Sequence, residues 1–496
     1  MKRGIRKLGW SYTIKWALLI GGLYLTVLYI WRQDTSGQLD DGGELRRAPI
    51  PVPRPRRLDV QIVNDASNLT AHQADDSDQV IAILVFCATR DRAIRNHLQQ
   101  LVEQRPDADR FPIYVSQDAD TQSVRAVIEE FANKSKNIHY MHHTHQSPQT
   151  SFQRSAKAYF HISTHYKWAL DRVFANHSTV LVTEDDLDIS KDFFSFFTHT
   201  RQLLEEDPTV WCVSAWNDNG GSAVTDQAKS ELLYRTDFFP GLGWMLKADV
   251  WRELSAAWPE AYWDDWMRRP EIRKNRVCIR PEVSRTAHNN QLAGKGSSGG
   301  LYKSFLASIH LPQTSVDFSL VDMSRIHKAA YDQSFRQQLL DAKPISIADL
   351  LANPFAKSDD KAAAPRLSPQ FAYRVTYNDP REFRTIARKF KLMEDFRSGM
   401  PRTAYYGVVT FLADHVRIYA VHANLNLTEE LGETPADRVY DVKWDLMTRF
   451  LDFASMYCKT GKWTGTCDPK SPEMRAWFER RHQLKRLEAW GEMIVF

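Results

Sequence analysis

No long block of like charge runs through this 496-residue chain, and 65 Lys and Arg nearly balance 61 Asp and Glu, for a net charge of +4. Cations dispersed in this way argue against nucleic acid as the main partner. Cysteine is scarce: five residues allow two disulfides and one spare thiol. No G-x-x-x-x-G-K-[ST] loop, G-x-S-x-G elbow or H-E-x-x-H helix occurs, which sets aside P-loop, nucleophile-elbow and zincin chemistry. No internal repeat is evident. What is there is an ordinary globular composition, 43% hydrophobic and 25% charged, in a chain long enough for about two or three domains and a large core.

The first 78 residues depart from that composition. Trp16 to Trp31 is a 16-residue uncharged run, and from Leu8 onward only Lys15 interrupts it. A bilayer core takes about 20 apolar residues and tolerates about 17. Lys15 can snorkel, and Trp10, Tyr12, Trp16 and Trp31 suit the two interfaces. Lys2, Arg3, Arg6 and Lys7 precede the run, and no acid occurs before Asp34. The positive-inside rule then makes residues 1–15 a cytosolic tail, 16–31 a transmembrane signal anchor, and the rest a far-side domain. No small-x-small site follows Trp31, which favours an uncleaved anchor over a cleaved signal peptide. Residues 32–78 are rich in Asp, Arg, Pro, Gly and Ser and lack hydrophobic periodicity; they read as a disordered stem. Asn68, Asn133, Asn176 and Asn426 each open an Asn-x-Ser/Thr tripeptide of the kind a far-side chain can carry glycosylated.

Order begins at Val80–Phe86, a continuous apolar run that suits a strand buried on both faces. Ile94, Leu98 and Leu101 then mark one helical face. Phe111–Val115 reads as a second strand ending at Ser116-Gln117-Asp118. A second helix carries Ile162, Tyr166, Ala169, Leu170 and Val173, and leads into a strand that ends at Glu184-Asp185-Asp186. Strand, helix, strand, helix, strand predicts a parallel sheet, with ligands bound beyond the carboxyl ends of its strands. Trp211–Trp216 predicts another strand, and Gly294–Gly300 a mobile Gly/Ser-rich loop. Residues 371–421 predict strands around a helix at Phe383–Leu392, including a hairpin of Val408–Phe411 and Val416–Tyr419 that turns at Asp414-His415.

Three clusters carry candidate chemistry. The apolar run Val180-Leu181-Val182 ends in three adjacent carboxylates, Glu184, Asp185 and Asp186. Burying such charge requires a compensating cation, so the cluster faces a metal, a sugar or both, or else a solvated loop. Hard oxygen ligands of this kind select Mg²⁺ or Mn²⁺, which also bind substrate phosphates. In Tyr262–Pro270, Asp264 and Asp265 lie between tryptophans, as a base beside sugar-stacking rings would; a helix with core tryptophans and acids paired to Arg268 and Arg269 explains the same residues. Gly241 and Gly243, within Tyr234–Trp244, let a backbone approach a ligand closely or serve a turn. Cys458 and Cys467 flank a short segment able to close as a small loop, although spacing does not pair them.

Together these segments resemble the N-acetylglucosaminyltransferase I family. The likeness is carried by Phe111-Pro112-Ile113, Val115–Asp118, His165-Tyr166, Trp168–Leu170, Glu184–Leu187, Trp211–Gly220, Leu232–Trp244, Trp263–Glu271 and Cys278–Thr286. It covers residues 79 to 420. The resemblance implies a GT-A, Rossmann-like α/β catalytic domain over 79–293, a loop over 294–303, and a smaller C-terminal α+β domain over 304–420. It implies inverting transfer of GlcNAc from UDP-GlcNAc to the 2-hydroxyl of the α-1,3-arm mannose of a high-mannose N-glycan, by a Golgi type II membrane protein that uses Mn²⁺. Two readings compete: GlcNAc transfer to O-linked mannose, and a non-catalytic Golgi lectin.

The resemblance also implies roles residue by residue. Asp186 is the direct Mn²⁺ ligand, Asp185 the ribose contact and Glu184 the GlcNAc contact. Asp118, His165 and Arg90 bind the nucleotide, with Arg92 a weaker substitute for Arg90. Ser298 closes over the diphosphate, Asp264 is the catalytic base, and Cys212 and Cys278 form a disulfide. A second family disulfide would need cysteines at Ala88 and Ala119, which are absent, and Cys87 beside them has no evident partner. The His-rich segment with His139, His142, His143 and His145 reads as loop variation. Residues 421–496 extend past the family's usual end, with no role assigned.

Overall fold

In a computed structural model, residues 79–293, 302–352, 368, 370–433, 435–458, 463–484 and 487 are described. The expected tail, anchor and stem lie outside them. The predicted first strand is β1 (Ala82–Cys87), and every one of its side chains is buried. Helix α1 (Asp91–Gln104) follows, burying Ala93, Ile94, His97, Leu98 and Leu101, the i, i+4, i+7 stripe read from the sequence plus one histidine. Then comes β2 (Ile113–Asp118).

The expectation of a single helix between this strand and the acid-tipped one is corrected here. Helix α2 (Gln122–Lys134) and strand β3 (Ile138–His143) intervene before α3 (Lys157–Val173). Strand β3 escapes an apolar-run search because it is a sheet edge with exposed His139 and His142. The His-rich segment is therefore partly a strand and not only a loop: His143 pairs in register with Asp118.

Strand β4 (Thr179–Glu184) carries the acid cluster at its end. A short strand β5 (Leu187–Ile189) and helix α4 (Phe193–Glu206) follow. The main sheet is completed by β6 (Val210–Ser214), β7 (Leu233–Thr236), β8 (Trp244–Lys247) and β9 (Val277–Pro281), with helix α5 (Trp263–Met267) between the last two. Its order is β3-β2-β1-β4-β8-β6-β9-β7. The half from β3 to β4 is parallel, whereas β8 enters antiparallel to both β4 and β6. Aligned strands in the parallel half send Arg90, Asp118 and Glu184–Asp186 to one edge. Gly243, at φ +95°, is needed for packing: a Cβ there would lie 2.7 Å from the Thr286 methyl carbon. Gly243 is thus required by its close approach to Thr286, and Gly241, at φ +73°, by its backbone conformation.

A ribbon of β5 with β10 (Thr286–His288) crosses this edge and pairs His288 with Leu187. A second sheet has the order β11 (Lys343–Pro344), β12 (Tyr373–Tyr377), β16 (Val416–His422), β15 (Val408–Ala413), and α6 (Pro380–Phe390) follows β12. The predicted hairpin is present, with Asp414 at φ 47° and His415 at φ 67°, the positive pair that a type I′ turn requires. A smaller hairpin joins β13 (Phe396–Arg397) to β14 (Met400–Pro401). Helices α7 (Lys443–Tyr457) and α8 (Pro472–Glu479) belong to the extension, and Cys458 and Cys467 are disulfide-bonded.

Cys212 and Cys278 are bonded across the adjacent strands β6 and β9, with Cα atoms 4.6 Å apart. Cys87 is a free, buried thiol. The Cys212–Cys278 bridge closes a sequence separation of 66 residues, for which the chain-entropy model gives about 4 kcal/mol. Replacing both cysteines by Ser should lower unfolding stability by about that amount, read as an earlier denaturant midpoint under non-reducing conditions. An unchanged midpoint would show the bridge to be energetically idle.

Candidate active site

Two of three adjacent carboxylates meet one guanidinium at the carboxyl edge of the parallel strands. Arg90, which follows β1, donates Nε to Asp185 Oδ2 at 3.3 Å and Nη1 to Asp186 Oδ2 at 2.6 Å, and its Nη2 bonds Asp185 Oδ1. Asp185 is almost wholly buried, and its backbone N–H donates to the Phe86 carbonyl at 3.0 Å, which ties the cluster to β1. His288 approaches Asp186 Oδ2 from the β5–β10 ribbon at 3.3 Å. Glu184 Oε1 accepts from Tyr166 Oη at 3.0 Å.

Burial and mutual repulsion shape how these acids ionise. Desolvation, reinforced by Asp186, pushes Glu184 up to about 7. Desolvation also lifts Asp185 to about 6, against the pull of Arg90. Asp186 is desolvated too, but hydrogen bonding from His288 and the charge of Arg90 hold it below the ordinary carboxylate range. Asp186 is therefore the most readily ionised of the three, with Asp185 next. Excess negative charge remains around it, and a hard cation would relieve that excess. Among the described residues, no set of three or more His, Cys, Asp or Glu side chains is arranged to hold a metal alone. Asp186 fits as a single protein ligand whose shell a diphosphate and water would complete.

The second corner of the edge belongs to Asp118. Its Oδ1 accepts from His143 Nδ1 and its Oδ2 from His145 Nε2, both at 2.7 Å. His165 stacks on His143 with ring centroids 5.0 Å apart, and its Nε2 lies 2.7 Å from Ser116 Oγ. Burial drives His165 down to about 3, so it is a neutral ring.

Asp264 occupies the third corner. A stack of rings joins its helix to the acid cluster: Phe86 on Tyr166 at 3.8 Å, and Tyr166 on Trp263 at 4.6 Å. Trp263 and Trp266 are core residues, and Arg268 Nη1 bonds Asp264 Oδ2 at 3.0 Å and Asp265 Oδ1 at 2.8 Å. Core tryptophans and paired acids are thus present, except that Arg269 turns to Glu271 at 4.0 Å. The Asp264 side chain remains 44% exposed, open to a partner in solution.

The structure therefore joins Arg90, Asp185 and Asp186 directly, ties Glu184 to Tyr166, links Asp118 to His165 through His143, and connects Asp264 through Trp263. Ser298 lies outside the described residues. Sequence reasoning passed over His288 and His97. His288 reaches Asp186 only through ribbon pairing about a hundred residues away, for which no local pattern exists. His97 was legible as a histidine on the apolar face of α1. Its Nδ1 donates to the Leu187 carbonyl at 2.6 Å, and its Nε2 lies 2.9 Å from Thr183 Oγ1. Those two partners bracket residues 184–186, so His97 fixes the cluster from behind.

The model of the GNT-I family matches residues 55–430. Over 337 residues the chain is 38% identical to the alpha-1,3-mannosyl-glycoprotein 2-beta-N-acetylglucosaminyltransferase of Arabidopsis thaliana, covering 67% of this chain and 71% of that protein. Among solved structures, a mannosyltransferase of Pyrobaculum calidifontis in complex with GDP-Man and Mn²⁺ aligns at 15% identity and a TM-score of 0.26, over 49% of this chain and 57% of its own. TarS 1-349 of S. aureus aligns at 11% identity and a TM-score of 0.31, over 43% and 61%. The chain spans less than two thirds of either structure.

Burial drives His97 down to about 4, even though the Leu187 carbonyl favours its proton. A histidine whose folded pKa lies below its unfolded value of about 6.5 stabilises the fold above that value and loses the contribution as pH falls toward the folded one. His97 should thus account for about 2 kcal/mol of the stability lost between about pH 7 and 5. In His97→Gln, urea midpoints across that range should fall less steeply. Parallel slopes in the two proteins would refute this linkage.

Proposed function

The chain belongs to the GNT-I family, and we propose that it is an inverting β-1,2-N-acetylglucosaminyltransferase of GT-A type. In this reading it moves GlcNAc from UDP-GlcNAc to the 2-hydroxyl of the α-1,3-arm mannose of a high-mannose N-glycan, the reaction that opens hybrid and complex N-glycan synthesis. The observation that carries the reading is the joining of an ion-paired acid cluster to the Asp264 helix through the Tyr166–Trp263 stack.

The chemistry follows from the charges. Asp186 would hold a divalent cation, Mn²⁺ by family likeness, and the bound ion would supply Lewis-acid neutralisation of the leaving diphosphate. Arg90 would exchange part of its contact with Asp186 for the phosphates, to which a guanidinium is well matched. Asp185 would bind the ribose, Glu184 the GlcNAc hydroxyls, and Asp118 with His165 the base; Ser298 would cover the diphosphate. Arg268 occupies Asp264 Oδ2, so Oδ1 is the oxygen that would take the proton from the mannose hydroxyl as it attacks the anomeric carbon. A single displacement inverts that centre and needs no enzymic nucleophile.

We propose a luminal Golgi setting as well, with residues 16–31 as the type II anchor. No helix among the described residues is long and apolar enough to cross a membrane, so this anchoring rests on the sequence run alone.

With UDP-GlcNAc, Mn²⁺ and a five-mannose N-glycan, the protein should add one β-1,2-linked GlcNAc to the α-1,3 arm. Preferential transfer to an O-mannosyl peptide would overturn the acceptor assignment. Asp264→Asn should slow transfer by about 10²–10⁴ while calorimetry still registers UDP-GlcNAc binding; unchanged turnover would remove Asp264 as the base. Asp186→Ala should abolish the Mn²⁺-dependent part of UDP binding.

A further inference from the structure

The family match ends at residue 430, yet the chain beyond it reaches back to the Asp264 neighbourhood. The link is the β13–β14 hairpin. Its two turn residues, Ser398 at φ 53° and Gly399 at φ 75°, both have positive φ. The first is not glycine and is costly to hold there without external support. Asp445, in the first turn of α7, supplies that support: its Oδ2 accepts from the Ser398 N–H and its Oδ1 from the Gly399 N–H, each at 2.8 Å. The fit is close, since a Cβ on Gly399 would lie 2.6 Å from the Asp441 carbonyl oxygen. Trp444 adds an edge-on contact with Phe396, ring centroids 5.7 Å apart.

The hairpin carries this constraint toward the acids. Arg397, the residue before the turn, donates Nη2 to Tyr302 Oη at 2.7 Å and faces Asp265 Oδ1 at 3.6 Å and Asp395 Oδ2 at 3.3 Å. Asp265 shares Arg268 Nη1 with Asp264. A shift of the turn would therefore move Arg397, and with it the charge balance that sets how Arg268 divides between Asp264 and Asp265.

We propose that Asp445 is a positioning residue for the transfer reaction, acting through the Ser398–Gly399 turn and Arg397 on the Asp264 helix. The extension is then a working part of the acceptor side. This rests on Asp264 as the base. It predicts an effect on turnover with the acceptor and none on donor binding, because the hairpin's described ion pairs run to Asp265 and Asp395 and the donor cluster's to Arg90 and His288.

A double-mutant cycle tests it. Asp445→Ala and Arg397→Gln should each lower kcat about tenfold, within the range that small displacements of reacting groups produce. UDP-GlcNAc affinity by calorimetry should change less than about twofold in either. The double variant should be no slower than the worse single, because the two residues act in series. Multiplying losses, normal turnover in Asp445→Ala, or equal loss of donor binding would each overturn the proposal. Asp445→Asn, which keeps the shape and one strong acceptor, should recover part of the rate and serves in the same cycle if the alanine variant does not fold. Activity surviving in Asp264→Asn would overturn the base assignment separately, whatever coupling the cycle measures.

Discussion

The arrangement depends on one electrostatic fact: Arg90 is held against two buried aspartates at the end of β4. Three consecutive acids at a buried sheet edge cannot all ionise without nearby positive charge. Arg90 engages both oxygens of Asp185 and one of Asp186, while Glu184, bonded to a tyrosine hydroxyl instead, is lifted to about 7. The result is a site in which two aspartates share one guanidinium, with His288 beside the second of them. That resting state suits the proposed diphosphate donor and metal.

Much of the nearby structure fixes this charge pattern in place. The parallel pairing of β1 with β2 and β4 brings the Arg90, Asp118 and Glu184–Asp186 termini to one edge. His97 clamps the residues on either side of the triplet from α1, and the β5–β10 ribbon delivers His288 from the front. Tyr166 has two functions: its hydroxyl bonds Glu184, and its ring carries the stack to Trp263. The acid cluster and the Asp264 helix are therefore registered against each other by packed aromatic faces, which are stiffer than a pair of long charged side chains would be.

How far the sequence revealed this varied with the physics of each element. Strands β1 and β4 are buried on both faces and stand out as unbroken apolar runs; the β15–β16 hairpin stood out through alternation and a polar two-residue turn. Strand β3 did not, because an edge strand with histidines facing solvent has no apolar run to find. The insertion of β8 between β4 and β6 left no local trace, since strand order is decided by long-range pairing. The acids were legible as a cluster, and Asp264 was legible once the family likeness was noticed. The histidines that set their surroundings were not. His143 and His145 cap Asp118 from a segment that looked like divergent loop, and His288 arrives on a strand of three residues.

The contrast between Glu184 and Asp264 also argues for a division of labour. Glu184 is half-buried with its Oε1 already bonded to Tyr166 beside two further acids, a setting suited to holding a ligand hydroxyl. A base needs one oxygen anchored for aim and the other open to the reacting hydroxyl. Asp264 has that form, with Oδ2 bound to Arg268 and its side chain 44% exposed. Arg268 is itself buried and shared with Asp265, so the orientation of Asp264 depends on how that sharing is balanced. Asp265 in turn faces Arg397, on a hairpin whose turn is gripped by Asp445. The precision of the exposed carboxylate is thus borrowed from buried charge behind it, and the last link in that chain lies in a segment beyond the reach of the family match.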